Sequence, residues 1–84
     1  MALRLGAHIT TADTEYGTVL LDQRSGEYWE LNPTGTLILR TLLDGGDEQD
    51  ATEALIAEFD IDRSRGSQDV AALLTQLRSC GLVS

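Results

Sequence analysis

The distribution of apolar and polar residues in the first third of the chain is typical of short strands separated by turns. β-Branched and aromatic residues are concentrated there, and turn-forming residues interrupt them at short intervals. This pattern predicts strands over residues 5–11, 16–22 and 27–31. Residues 22–26, which contain Asp, Ser and Gly, predict a hairpin between the second and third strands.

The third predicted strand has one apolar face. A period of two places Glu27, Trp29 and Leu31 on that face. Tyr28 and Glu30 then lie on the opposite face. Because Trp29 and Leu31 are large and apolar, we expect their side of the strand to pack against the core.

Beyond residue 31 the apolar period changes to that of amphipathic helices. Asn32 is a favourable N-cap and Pro33 suits the first helical position, so a helix should begin there and end at the glycine pair 45–46. Apolar spacing predicts a second helix over residues 48–59 and a third from residue 64 or 65 to residue 79. The side chains expected to point inward are Leu37, Ile38, Thr41 and Leu42, then Ala51, Leu55, Ile56 and Phe59, then Val70, Leu73, Leu74 and Leu77.

Strands followed by helices define an α+β domain. We expect a three-stranded antiparallel sheet with three helices packed on one face, closed by Leu82 and Val83 as a final contact or a short strand. With 84 residues the chain is long enough for one compact domain, and we expect residues 1–84 to form it.

The chain has few side chains of the types that act in catalysis or bind metal ions. His8 and Cys80 are the only histidine and the only cysteine, so one chain can form neither a disulfide nor a Cys/His zinc site. We expect His8 to be exposed in the first strand and Cys80 to pack at the end of the last helix. The sequence has no phosphate-binding glycine loop and no full calcium loop. We therefore expect no enzymatic activity, no metal and no cofactor.

The charge balance limits the partners. Fourteen acidic residues and six basic ones, all arginine, give a net charge of -8. Such a surface repels nucleic acids and anionic membranes and favours basic partners. The sequence contains neither a signal peptide nor an apolar segment of membrane-spanning length, so we expect a cytoplasmic protein.

A small sheet has edges, and an unpaired edge strand can accept a further strand. If the third strand lies at an edge beside the last helix, the two form a groove for an extended peptide. Glu27, Glu30 and Asp69 would then meet basic residues of that peptide. Alternatively, these acids only keep the edge soluble, and their spacing does not decide between the two interpretations.

Residues 17–22 (GTVLLD) and 26–35 (GEYWELNPTG) resemble the signature of PqqD-like proteins. The resemblance covers the chain from about residue 5 to residue 83. It is strongest to the leader-binding proteins of lasso peptide clusters, where such a domain is the stand-alone N-terminal half of a split B protein. It implies a non-catalytic recognition element for ribosomally made, post-translationally modified peptides, with a fold related to the winged helix.

The resemblance also implies a binding site and partners. A precursor leader peptide would pair with the third strand and lie against the third helix. A separate leader peptidase of the cysteine-protease type and an ATP-dependent cyclase would act on the bound precursor. We expect Val70, Leu73 and Leu77 to be mainly core, with one edge exposed to the peptide. The residues assigned to the site are Glu27, Tyr28, Trp29, Glu30 and Leu31 on the strand and Asp69, Val70, Leu73, Gln76 and Leu77 on the helix.

Two other classes of small domain have similar features. A winged-helix DNA-binding domain would present its last helix to DNA, but that region has only Arg63, Arg65 and Arg78 against three aspartates. An acyl or peptidyl carrier protein is also small and acidic. It requires a serine in an Asp-Ser-Leu context, which neither Ser64 nor Ser67 has.

Overall fold

The computed structural model describes residues 3–83; Met1, Ala2 and Ser84, which the predicted domain includes, lie outside the described residues. The strands pair antiparallel in the order β1-β2-β3, and the helices cover one face of the sheet. The predicted α+β class and element order are confirmed. The elements are β1 (Ile9–Thr14), β2 (Gly17–Asp22), β3 (Tyr28–Leu31), α1 (Pro33–Leu43), α2 (Glu48–Phe59) and α3 (Arg63–Ser79).

A single hydrophobic core joins the inner face of the sheet to the helices. Leu20, at the centre of β2, is fully buried, and each helix contributes buried aliphatic side chains around it. Burying one such side chain stabilises the fold by about 1.5–3 kcal/mol. The core residues are Leu3, Leu20, Ile38, Leu39, Leu42, Ala51, Leu55, Val70, Leu74, Leu77, Leu82 and Val83.

Each helix begins at a capping side chain. Asn32 Oδ1 accepts a hydrogen bond from the N–H of Gly35 at 2.8 Å. Asp47 and Asp50 form a reciprocal capping box at the start of α2. These local signals explain why the predicted starts of α1 and α2 are confirmed. Asp62 caps α3, so this helix begins one or two residues earlier than predicted.

The chain reverses after α3 and returns to the core. Gly81 has a φ of +72°, and the N–H of Leu82 donates to the carbonyl of Leu77 at 2.9 Å, as in a Schellman motif. This reversal buries Leu82 and Val83, and Val83 forms an isolated antiparallel bridge with Leu5. The predicted closing contact is therefore confirmed.

Several expectations for the N-terminal strands were wrong. The first strand occupies Ile9–Thr14 instead of residues 5–11, because the tight turn that pairs Thr14 with Gly17 sets its register. His8 is exposed, as expected, but lies in a turn before the strand. Tyr16 lies in the turn before β2 and does not belong to the strand.

Some side chains expected to pack inward are exposed. Cys80 is exposed because Leu82, after the reversal, packs against the core at the end of α3. Phe59 is 37% exposed because α2 ends at Asp60, which has a φ of 53°. In α1, Leu37 and Thr41 are only half-buried, whereas Leu39, which was not predicted to face inward, is buried. This helix packs against α2 as well as the sheet, so its buried arc is wider than one stripe.

Gly17 lets the β1–β2 turn lie against the end of β3. Its φ is +150°, and a Cβ at this position would lie 1.9 Å from the carbonyl oxygen of Leu31. That oxygen belongs to the backbone and cannot rotate away. A glycine is therefore required where the turn meets the third strand.

We predict that Gly17→Ala lowers the free energy of unfolding by at least about 3 kcal/mol, since the new methyl group adds a steric clash to an unfavourable φ. Gly26→Ala is the matched control: Gly26 has a φ of +79° but open space around it. It should cost only about 1–2 kcal/mol. Urea denaturation measures both values, and equal losses would contradict the steric argument.

Candidate functional site

The third strand lies at an edge of the sheet, which is the condition on which the expected peptide groove depends. It pairs with β2 on one side, and within residues 3–83 no strand pairs with its other side. The strand is short, because Asn32 caps α1 directly after Leu31. An edge of this kind leaves backbone hydrogen-bonding groups available to another polypeptide.

The β2–β3 hairpin holds this edge strand in its register. Asp22 Oδ1 accepts hydrogen bonds from the N–H groups of Arg24 at 2.8 Å and Ser25 at 3.4 Å. The bond from the Arg24 backbone is the main reason that the pKa of the Asp22 carboxyl lies below its usual value. Glu27, predicted within the strand, lies just before it and is exposed.

The hydrogen-bond pattern shows which backbone groups of β3 are already used. The N–H of Asp22 donates to the carbonyl of Glu27 at 2.9 Å. In an antiparallel ladder such bonded positions recur at every second residue, and the register pairs Trp29 with Leu20. Trp29 and Leu31 therefore direct their backbone groups toward β2.

Tyr28 and Glu30 direct their N–H and C=O groups to the free edge. The pairing of β2 with β1 agrees with this assignment. The N–H of Gln23 donates to the carbonyl of His8 at 2.9 Å, so the odd-numbered residues of β2 direct their backbone groups to β1 and the even-numbered ones to β3. Tyr28 and Glu30 together offer two donors and two acceptors. A strand of another polypeptide can pair with them.

The side chains of β3 divide as predicted. Trp29 and Leu31 are half-buried and pack against the core. Tyr28 and Glu30 lie on the outer face of the sheet, where Tyr28 is 63% exposed. A strand added to this edge would likewise direct alternate side chains to the helical side and to the outer side.

A groove separates the edge strand from the last helix. The Cα atoms of β3 and α3 are more than 8 Å apart, and the start of α1 lies between the two elements. A hollow of about 380 Å³ lies here, with Gly35 and Ile38 of α1 among its lining residues. Gly35 adjoins the strand, since a Cβ at this position would lie 3.3 Å from the Cβ of Leu31. No residue of β3 lines the hollow itself, which therefore lies beside the end of the strand, where Asn32 follows Leu31.

One face of α3 forms the far wall of the groove. Asp69 and Leu73, both predicted site residues, line it together with Arg65 and Ala72. Asp69 follows Arg65 by four residues and precedes Ala72 and Leu73 by three and four, so all four share one side of the helix. Gln76, one turn further on the same side, is exposed but lies beyond the hollow.

Two predicted helix residues lie behind this wall. Val70 and Leu77 are 1% and 2% exposed, so they support the wall from the core and have no exposed edge. Sequence reasoning missed Arg65 and Ala72. Helical spacing from Asp69 could have identified both, because Arg65 precedes it by four residues and Ala72 follows it by three.

The site is mostly acidic, with one cation in its wall. The guanidinium of Arg65 lies 3.8 Å from the Asp69 carboxylate. Glu27 and Glu30 form no ion pair within residues 3–83. In the same part of the chain no helix is long and apolar enough to span a membrane, and no cluster of three His, Cys, Asp or Glu side chains could hold a metal ion.

Comparison with known proteins assigns the chain to a family. It matches the family of coenzyme PQQ synthesis protein D (PqqD) over residues 17–83 and belongs to that family. The PqqD-like fold expected from the resemblance is thereby confirmed. Among curated proteins no match is found.

Two solved structures are similar over nearly their whole length. One is a lasso peptide synthetase B1 complexed with the leader peptide, with a TM-score of 0.92, 44% identity, and coverage of 100% of this chain and 99% of the other. The second is TbiB1 in complex with the TbiA(beta) leader peptide, with a TM-score of 0.85, 25% identity, and coverage of 96% and 94%. Both neighbours were solved with a leader peptide bound.

The ladder assignment predicts different amide exchange rates within β3. In the free protein the N–H groups of Tyr28 and Glu30 should exchange with solvent at least about tenfold faster than those of Trp29 and Leu31, which are bonded to β2. Residue-resolved hydrogen exchange by NMR measures all four. Equal protection of the four amides would show that the edge is not open.

Proposed function

We propose that this chain binds the leader segment of a ribosomally made precursor of the lasso peptide type, and that it does so without catalysis. The leader pairs as a fourth strand with β3 and lies in the groove against α3. One observation carries the proposal: the open backbone positions of Tyr28 and Glu30 belong to a strand whose end adjoins a groove lined by α3. The leader complexes of the two structural neighbours support it.

In the paired leader, successive side chains point alternately to the groove and to the outer face of the sheet. Those opposite Trp29 and Leu31 point into the groove, toward Ala72 and Leu73. Those opposite Tyr28 and Glu30 point to the outer face. The apolar part of the groove wall favours aliphatic or aromatic residues at the first set of positions.

Backbone pairing alone does not provide the affinity. Four hydrogen bonds at about 0.5–1.5 kcal/mol each contribute roughly 2–6 kcal/mol. Submicromolar to low-micromolar binding corresponds to about 8–10 kcal/mol, and ordering the peptide adds a further cost. Burial of leader side chains in the groove must therefore supply a large share of the binding free energy.

The remaining site residues have supporting roles in this proposal. Glu27, Glu30 and Asp69 attract basic leader residues, and Gln76 extends the wall by one turn. Residues 1–84 act as one recognition unit that presents the precursor to a separate leader peptidase and to an ATP-dependent cyclase. The net charge of -8 disfavours the alternative of a winged-helix DNA-binding domain.

Proline at the open edge should weaken leader binding. Tyr28→Pro removes a donor that β2 does not use, so the sheet keeps its ladder while the leader loses a hydrogen bond and meets the proline ring. We expect at least a tenfold loss of affinity for the leader peptide of the 44% identical lasso peptide synthetase B1, measured by fluorescence anisotropy.

The matched control is Thr11→Pro. Thr11 lies on β1, the opposite edge of the sheet, and alternation from the Gln23–His8 bond directs its N–H away from β2. This variant should bind the leader with unchanged affinity, and circular dichroism should show that both variants are folded. Equal affinity in the two proline variants would place the docking strand elsewhere.

A large side chain in the groove wall should also block the leader. Ala72→Arg projects into the groove, and we expect at least a tenfold loss of affinity by calorimetry. Ala71→Arg adds the same side chain and charge to the neighbouring residue, which is exposed and lines the hollow between α2 and α3. It should leave the affinity unchanged, and equal effects of the two variants would exclude α3 as the wall.

A further inference from the structure

A second hollow adjoins the end of β3 on the outer face of the sheet. It has a volume of about 450 Å³, and Tyr16, Val19, Glu30 and Asn32 are among its lining residues. Val19 and Glu30 are directly paired across β2 and β3, so their side chains share the outer face. Asn32 also lines the groove beside α3, so both hollows adjoin the residue that follows the edge strand.

The β1–β2 turn places an aromatic ring at this hollow. The N–H of Tyr16 donates to Thr14 Oγ1 at 3.1 Å, and this hydroxyl donates to the carbonyl of Gly17 at 3.3 Å. Gly17 in turn lies against the carbonyl of Leu31. The backbone of Tyr16 is thus fixed beside the end of β3, while its side chain is 78% exposed.

The chemistry of the hollow suits one class of side chain. Tyr16 and Val19 provide apolar surface and an aromatic face, and Glu30 provides a carboxylate that forms no ion pair within residues 3–83. Lys and Arg combine an apolar stem with a cationic end, and the cation is attracted both to an aromatic face and to a carboxylate.

We infer that this hollow binds a Lys or Arg side chain of the same peptide that pairs with β3, an inference that rests on the proposed function. The occupant is a side chain of the peptide that pairs with β3, because Glu30 directs its backbone groups to the free edge and its side chain to the hollow. Peptide residues opposite Glu30 and Asn32 point to the same outer face. A second copy of the chain is disfavoured, since it also carries a charge of -8.

A charge-swap experiment tests the inference. The leader peptide of the 44% identical synthetase B1 is synthesised with Lys, Gln or Glu at each position in turn, and affinities are measured by fluorescence anisotropy. At one outward-facing position Lys should bind roughly fivefold to tenfold more tightly than Gln. Glu30→Gln should remove this preference, Glu30→Lys should reverse it in favour of Glu, and Tyr16→Ala should reduce it.

Glu15→Gln is the matched control. Glu15 lies in the same turn and its substitution removes the same charge, but it does not line this hollow. It should leave the lysine preference intact, and an equal loss in this variant would attribute the preference to overall charge and overturn the inference. Leader binding without any lysine preference sensitive to Glu30 overturns this inference alone. A wild-type chain that binds no leader overturns the proposed function as well.

Discussion

The unpaired side of β3 is the constraint on which the rest of the site depends. Backbone N–H and C=O groups must be hydrogen-bonded to protein or water, and those of Tyr28 and Glu30 have no strand partner within residues 3–83. The hairpin at Asp22 fixes where this side begins, and the cap at Asn32 fixes where it ends. The fold thus presents a short, defined segment of open ladder.

Hydrogen bonds between the backbone of β3 and a peptide contribute affinity that does not depend on the peptide's side chains. Any extended peptide without proline at the paired positions can form the hydrogen bonds, so discrimination must come from the side chains on either face. The groove beside α3 supplies an apolar wall at Leu73 and Ala72 together with the charges of Arg65 and Asp69. A binding site of this kind can hold different peptides that share a few anchor residues.

Local signals made much of the fold predictable. Asn32 and Asp47 cap helices through bonds to residues three positions away, so sequence spacing was sufficient to place α1 and α2. The first strand and Cys80 were misplaced because contacts outside their own segments decide them: the turn that pairs Thr14 with Gly17 sets the strand's register, and the packing of Leu82 leaves Cys80 exposed. Leu5 pairs with Val83 at the other end of the chain, and the reversal at Gly81 brings Leu82 into the core.

The site was predictable only in part, for the same reason. A period of two assigned the faces of Trp29 and Tyr28, but only the pairing with β2 shows which backbone groups remain open. The site residues on the third strand were assigned from the family resemblance, whereas Ala72 could be assigned to the site only when the position of α3 was known. A small apolar residue such as Ala72 cannot be identified as part of a binding site until the elements around it are known.

The central claim is that Tyr28 and Glu30 pair with the leader backbone, and scalar coupling across hydrogen bonds tests it most directly. The chain has a mass of only 9.1 kDa, so its complex with an isotope-labelled leader is suitable for NMR detection of coupling between an amide nitrogen and the carbonyl carbon to which it is hydrogen-bonded. The account predicts couplings that join the Tyr28 and Glu30 amides to leader carbonyls. Couplings from β1 amides to the leader, or a bound leader with none to β3, would contradict it.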